Sequence, residues 1–234
     1  MKPKVSIVLP VYNEEKVLED SVKKILDFVK GMDEYNTEIV IADNASRDKT
    51  LEVAKRLSEN FKNVRYIHLD QKGRGRALRK AWSESNADIM CYMDIDLSTD
   101  LEYLPRLVNA IRNGYDVATG SRLIAGANVE RSLKREILSR GYNLLLKIFL
   151  NVGFLDAQCG FKAINRKVVR EVIPKIKDQE WFFDTELLVR AERSGLRVVE
   201  IPVRWSEGRD SKVHIFKTVS NYIKSVMRLR RELS

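Results

Sequence analysis

The sequence predicts an α/β fold: a mainly parallel central sheet flanked by helices. Short runs rich in β-branched residues alternate with amphipathic segments through the first half, so the hydrophobic period switches repeatedly between strand-like and helix-like. The chain of 234 residues, 44% hydrophobic and 32% charged, is long enough to bury a full core in one domain.

Lys4 to Val11 reads as the first strand. Asn13, Glu14 and Glu15 are then expected to open a helix, a capping side chain followed by acidic charge, with Val17, Val22, Ile25 and Val29 on its apolar face. The unit repeats: strand Glu38 to Ala42 with a helix from Asp48 to Asn60, strand Val64 to Leu69 with a helix from Arg76 to Ser85, then strands Asp88 to Met93 and Asp116 to Gly120. Strands separated by helices imply crossovers, a parallel sheet, and ligands outside the carboxyl ends of the strands.

From Gly126 the rhythm breaks into a helix near Leu133 to Leu150, a loop from Asp156 to Phe161, a helix around Phe182 to Ser194, a strand Val198 to Val203 and a tail helix Ile215 to Leu233. No repeat or credible linker interrupts the chain, so residues 1–234 read as one domain. Residues 126–234 are expected to pack as an extension on residues 1–125.

The loops after the first, second and fourth strands are acidic or amide-rich: Tyr12-Asn13-Glu14, Asp43-Asn44-Ala45-Ser46 and Asp94-Ile95-Asp96. Asp94 and Asp96 close an apolar strand, where positions two apart face the same way, so both carboxylates could meet one hard cation such as magnesium. An Asp-capped turn is the plainer alternative. Asp43 could accept from a base N–H or a ribose hydroxyl, with Glu14 at the mouth of the first strand, or each could serve as a cap. Gly73-Arg74-Gly75-Arg76 could meet a phosphate at a helix start or form a flexible basic turn.

The net charge of +9, from 42 basic and 33 acidic residues, favours anionic partners without choosing among them. Cys91 and Cys159 lack zinc-site spacing and suit a reducing compartment, so the expected location is cytoplasmic. The apolar stretch Val5 to Val11 is too short for a signal peptide. Leu144 to Leu155 falls short of the roughly 20 residues a spanning helix needs.

Val-Leu-Pro-Val-Tyr-Asn-Glu at positions 8 to 14, the Asp43 to Thr50 segment, Gly73-Arg-Gly-x-Ala77-Leu-Arg79, Asp94-x-Asp96 and Gly120-Ser-Arg122 resemble, in order and spacing, family 2 glycosyltransferases of the GT-A, Rossmann-like fold. The resemblance extends through Asp156-Ala-Gln-Cys-Gly-Phe-Lys162, Phe183-Asp184-x-Glu186-Leu187 and Ile201-Pro-Val-x-Trp205 to Ser211-Lys212. The branch it is most similar to glycosylates dolichyl or polyprenyl phosphate. Within it, the Gln-Cys-Gly-Phe-Lys form resembles β-glucosyltransferases more than mannose synthases, which favours UDP-glucose over GDP-mannose.

The resemblance implies that residues 1–125 bind the nucleotide-sugar donor and residues 126–234 face the acceptor. Pro10, Tyr12, Glu14 and Asp43 become nucleoside contacts, and Asp94 and Asp96 hold the donor with Mg2+ or Mn2+. Arg122, Arg135 and Lys212 become phosphate contacts. Ser98 stands where relatives often carry a coordinating residue, which leaves its metal role open, and Arg74 stands where Lys is usual.

A lipid monophosphate acceptor, with a second pKa near about 6, is already anionic and needs no general base. The expectation is therefore direct displacement with inversion, Asp96 holding the metal and Arg122, Arg131, Arg135, Arg209 and Lys212 offsetting repulsion between two anions. Asp184 and Glu186 either take part or fix the surrounding loop.

The tail from Arg209 to Ser234 carries seven basic and two acidic residues with apolar positions at helical spacing. It could lie on an anionic membrane surface or pack on the domain. Nucleic-acid binding, prompted by Lys72-Gly-Arg-Gly-Arg76, is opposed by the acidic ligand edge, so no nucleic-acid partner is expected. A nucleotidyltransferase would carry a Gly-rich Arg-Lys loop where Tyr12-Asn13-Glu14 stands.

Overall fold

The computed structural model describes residues 2–207 and 215–233, with the backbone alone for 215–220. Strands β1 (Lys4–Val11), β2 (Asn36–Asn44), β3 (Val64–Leu69) and β4 (Ile89–Met93) run parallel and alternate with helices α1 (Leu18–Val29), α2 (Thr50–Asn60) and α3 (Arg74–Ser83). Helix α4 (Leu104–Arg112), β5 (Val117–Ser121), β6 (Asn128–Glu130), α5 (Leu133–Leu150), β7 (Phe161–Asn165) and α6 (Arg166–Glu171) follow. The order then continues through α7 (Phe183–Arg193), β8 (Val198–Pro202), β9 (Arg204–Ser206) and α8 (Ile215–Leu233).

Seven strands form one sheet in the order β3-β2-β1-β4-β7-β5-β8, and β7 is antiparallel to both of its neighbours. Short β6 and β9 pair in parallel apart from it. β1 is buried along nearly its whole length because both sheet faces are covered, as its unbroken apolar run requires. Ile7 and Leu9 face α1, α2 and α4 on one side, and Val8 faces α3 and α7 on the other. On that second side Trp82 is fully buried, with ring centroids 5.8 Å from Tyr92 and 6.0 Å from Phe183. Truncating such a side chain costs about 3–5 kcal/mol.

Two expectations are corrected. Residues 126–234 do not sit outside the first part: β7 enters between β4 and β5, and β8 pairs with β5, so the second half completes the sheet. Asn13, Glu14 and Glu15 do not cap α1, which starts at Leu18 with Val17 before it and no side-chain cap. Asn13 has φ 54°, a left-handed conformation that ends β1 in a turn rather than a helix.

Helix α8 packs against α5 and α7 through buried Val226 and Leu229. Its Tyr222 lies with ring centroid 5.1 Å from Tyr142 and 6.0 Å from Phe182. Its basic residue Arg228 turns inward, 2.7 Å from Glu186. Among the described residues no helix is long and apolar enough to cross a membrane.

Candidate active site

Because β2, β1 and β4 are neighbours, the loops after them lie side by side at one edge, with Pro10 opposite Ala42 and Val11 opposite Asp43. The first two loops are laced together. Asn13 N–H donates to Ser46 Oγ (3.0 Å), Arg47 N–H to Asn13 Oδ1 (2.8 Å), Glu14 N–H to Thr50 Oγ1 (2.8 Å) and Lys49 N–H to Glu15 Oε2 (2.9 Å). Three non-glycine residues with positive φ sit one in each of the three loops: Asn13 (54°), Ala45 (59°) and Leu97 (53°). Such conformations cost of order 1–3 kcal/mol and concentrate where a loop must present groups to a ligand.

A pocket of about 340 Å³ opens here, lined by Tyr12, Ala45, Ser46, Arg47, His68, Asp70 and Lys72. Lys72 Nζ stands 3.6 Å over the Tyr12 ring, and Pro10 near the end of β1 and Glu14 in the loop after it are both half-buried. Asp43, expected to meet a base or ribose, is fully buried. Its Oδ2 lies 2.6 Å from His68 Nδ1, and its Oδ1 accepts from Ser46 N–H at 3.3 Å. The pocket wall at that level is therefore His68, cross-strand partner of Asp43, and sequence reasoning missed it because strand order was needed to pair the two. A larger cavity of about 580 Å³, lined by Lys30, Met32, Tyr35, Thr37 and Phe61 among others, lies elsewhere and includes none of the predicted site residues.

Strand β4 ends at Met93, so strand alternation does not govern Asp94 and Asp96, and that expectation is corrected. The two belong to a turn closed by Leu97 N–H to Asp94 O (3.2 Å). Asp96 is exposed, with Oδ1 accepting from Ser98 N–H at 3.0 Å. Asp94 is pinned from two sides: its N–H donates to Gly160 O (3.1 Å), and its Oδ1 accepts from Arg74 Nη2 (2.6 Å).

Arg74 begins a buried chain of alternating charge. Its Nη1 donates to Asp184 Oδ2 (2.5 Å), Tyr92 O–H donates to Asp184 Oδ1, and Lys162 Nζ lies 3.4 Å from the same oxygen. Lys162 is fully buried and also donates to Cys159 O (2.6 Å) and Ala157 O (3.2 Å). Burial raises the Asp184 carboxyl, but Lys162, Arg74 and the Tyr92 hydroxyl outweigh it and hold it below the ordinary range. Burial opposes the charge on Arg74, yet Asp94, Tyr92 and Asp184 hold its pKa well above the ordinary value.

The Gly-Arg run is thus not an open phosphate cradle. Gly73 N–H is taken by Asn44 Oδ1 (2.6 Å), Arg76 N–H by Gln179 O (3.1 Å), and Arg74 faces inward. Gly75 is needed for packing, since a Cβ there would stand 2.6 Å from Phe183 Cβ.

After β5, Arg122 is clamped by Asp156, with Nε to Oδ2 and Nη2 to Oδ1 both at 2.8 Å, and its guanidinium lies 5.5 Å from the Trp205 ring centre. Arg135 pairs with Glu207 at 2.7 Å, and Arg131 pairs with Glu136. Glu186 accepts from Lys177 N–H and Asp178 N–H, both at 3.0 Å, and from Arg190 and Arg228, so it holds the loop before α7. Arg209 and Lys212 lie outside the described residues.

The sequence profile of glycosyl transferase family 2 matches residues 6–173. The chain belongs to that family. Glycosyltransferase AglD of Haloferax volcanii is 38% identical over 227 residues, covering 96% of this chain and 36% of that protein, so the domain spans about a third of that relative's length. The dolichyl-phosphate beta-glucosyltransferase of Dictyostelium discoideum is 27% identical, over 96% of this chain and 73% of its own. The dolichol-phosphate mannosyltransferase of Pyrococcus furiosus is 31% identical, over 97% and 64%. In fold, the family 2 domain resembles glucosyl-3-phosphoglycerate synthase of Mycobacterium tuberculosis, solved with Mn2+, UDP and glucosyl-3-phosphoglycerate. The TM-score is 0.73 at 18% identity, over 97% of this chain and 80% of that one.

The residues of the family 2 domain fit a divalent cation shared with a ligand. Asp96 keeps a carboxylate open, Asp94 stands beside it, and Ser98 Oγ is buried with no hydrogen-bond partner. Among the described residues no cluster of three His, Cys, Asp or Glu forms a closed protein cage. A cation here would complete its shell with phosphate oxygens and water, as magnesium commonly does.

Proposed function

We propose that the domain transfers a hexose from a nucleotide-sugar, UDP-glucose by preference, to a polyprenyl or dolichyl phosphate with inversion at the anomeric carbon. The observation that carries this reading is the open Asp96 carboxylate on the same sheet edge as the 340 Å³ pocket of Tyr12, His68 and Lys72. Two of the relatives named above are dolichyl-phosphate transferases. The pocket takes the nucleoside, and Tyr12 offers it a ring face and His68 a polar wall.

Asp96, with Asp94 beside it, would hold Mg2+ or Mn2+, which when bound neutralises charge on the departing diphosphate. Arg74 keeps the Asp94 carboxylate in place, and Asp184, Tyr92 and Lys162 keep Arg74 in place. Arg131 and Arg135, each paired with a glutamate, can exchange that partner for the acceptor phosphate, while Arg122 braces the loop through Asp156. With the acceptor already anionic, no residue need remove a proton. A lipid-linked acceptor places the domain peripherally on a membrane, on the cytoplasmic face in this reading.

GDP-mannose is the second donor reading, on the strength of the Pyrococcus furiosus relative. Incubation with UDP-glucose or GDP-mannose and dolichyl phosphate, with manganese or with a chelator, tests the proposal. A metal-dependent product of inverted anomeric configuration is expected. Retention, or no turnover with either donor, overturns it.

A further inference from the structure

Helix α5 exposes the wrong side for a helix of a water-soluble domain. Of its 18 residues it buries Asn143, Leu146 and Leu150, yet leaves Leu133 81%, Ile137 69%, Leu144 58% and Ile148 68% exposed. At about 3.6 residues per turn these four, with exposed Gly141, share an arc of about 80°. They form a continuous apolar stripe about 22 Å long at about 1.5 Å per residue. Scattered exposed leucines need no explanation, but an aligned stripe on one face marks a contact surface.

Its surroundings say what it contacts. Lys134 borders the stripe on one side, and Arg140 and Lys147 on the other. Lys134 and Lys147 are exposed and make no ion pair among the described residues; Arg140 reaches back to Glu136. A second copy of the chain would set these cations against their own kind, whereas an anionic lipid surface offers them counter-charge and the stripe an acyl boundary. The helix also starts at the proposed acceptor residues: Arg131 lies just before its first turn and Arg135 within it. α8, by contrast, turns Val226 and Leu229 into the domain and Arg228 onto Glu186.

We infer that α5 is the element that seats the domain on an anionic bilayer, Leu133, Ile137, Leu144 and Ile148 dipping below the headgroups. This rests on the lipid-phosphate reading for its purpose, but the surface stands on its own exposure and charge. It places Arg131 and Arg135 at headgroup level, where a lipid-linked phosphate is presented.

The test is flotation with vesicles of phosphatidylcholine, with and without phosphatidylglycerol, free of any acceptor lipid. The wild-type chain should float with phosphatidylglycerol vesicles, and Ile137→Glu with Leu144→Glu should weaken partitioning at least tenfold. Both side chains are exposed, so the fold should survive. Gly141→Leu is the converse test. A Cβ there meets nothing within 4 Å, so the added side chain should extend the stripe and strengthen binding roughly fivefold. Wild type that stays with the soluble fraction, a double variant that floats as well as wild type, or a concentration-dependent dimer abolished by the double variant would each overturn the inference. Turnover of a water-soluble short-chain prenyl phosphate by the double variant reports separately on the proposed activity, since no catalytic group is altered.

Discussion

Gly160 lies so close to the Asp94 carboxylate that a β-carbon on it would stand 1.8 Å from Oδ2 and 2.5 Å from Cγ. The same residue accepts the Asp94 amide through its carbonyl, so the Cys159-Gly160 turn both grips the aspartate backbone and leaves room for its side chain. Gly160→Ala should therefore act on the site more than on the fold. The obstructing atoms are the end of a side chain that can rotate away, at about 1–3 kcal/mol, but rotation breaks the 2.6 Å bond to Arg74. Turnover should fall at least a hundredfold, with a far-ultraviolet spectrum like that of the wild type. Unchanged kcat would mean that Asp94 need not sit where it does.

Arg74 bridges two carboxylates that no lysine could span in the same geometry. Arg74→Ala leaves Asp184 buried with fewer partners and should cost about 3–5 kcal/mol in denaturant unfolding. Arg74→Lys should recover part of that stability and less of the turnover.

Buried carboxylates contribute to the acid limb of stability, Asp156 and Asp184 among them. Asp156 is held below the ordinary range because Arg122 outweighs its burial, and Asp184 because Lys162 and Arg74 do. Both folded values lie under the unfolded value of about 3.9, so the unfolded chain takes up protons first as pH falls. The stabilisation is complete above that value and is lost as pH drops from about 4 through the folded values. Asp156→Asn should lose about 3 kcal/mol at neutral pH, and its deficit against wild type should shrink below about pH 4. A pH-independent deficit would exclude the Arg122 pair as its source.

His68 reaches the pocket only because Asp43 beneath it binds Nδ1. His68→Ala should raise KM for the nucleotide-sugar roughly tenfold and change kcat little, since the proposed function puts the nucleoside in this pocket. Equal KM in the variant, read by initial rates, would place the nucleoside elsewhere.

Cys91 and Cys159 are both free, and burial pushes each thiol up to about 12. At pH 8 only about one in ten thousand such groups is ionised. Neither should react with a thiol-specific reagent until the chain unfolds, and a rapid native-state reaction would refute this burial.

Several elements were legible because their hydrophobic period is clear: β3, α5 and α8 fall where the hydrophobic pattern puts them. β7 was not legible: only its first residue, Phe161, falls in the expected loop, and Phe161–Asn165 takes its identity as a strand from β4 and β5 on either side, elements far away in sequence. The acidic loops were legible at the sheet edge, but not how their charges are shared out. That Asp43 serves His68 and Asp94 serves Arg74 depends on which strands and helices come together, and local spacing does not encode it.

The antiparallel strand β7 also dictates an order of assembly. During synthesis β4 and β5 leave the ribosome well before residues 161–165, and until those arrive the two strands have no partner between them. Each then presents an open hydrogen-bonding edge, the kind of template that recruits other chains. Folding of the sheet must wait for a strand encoded two-thirds of the way along the chain. A ribosome stalled before that point would hold a nascent chain that needs chaperone cover, and the far edge of β5 stays open until β8 follows.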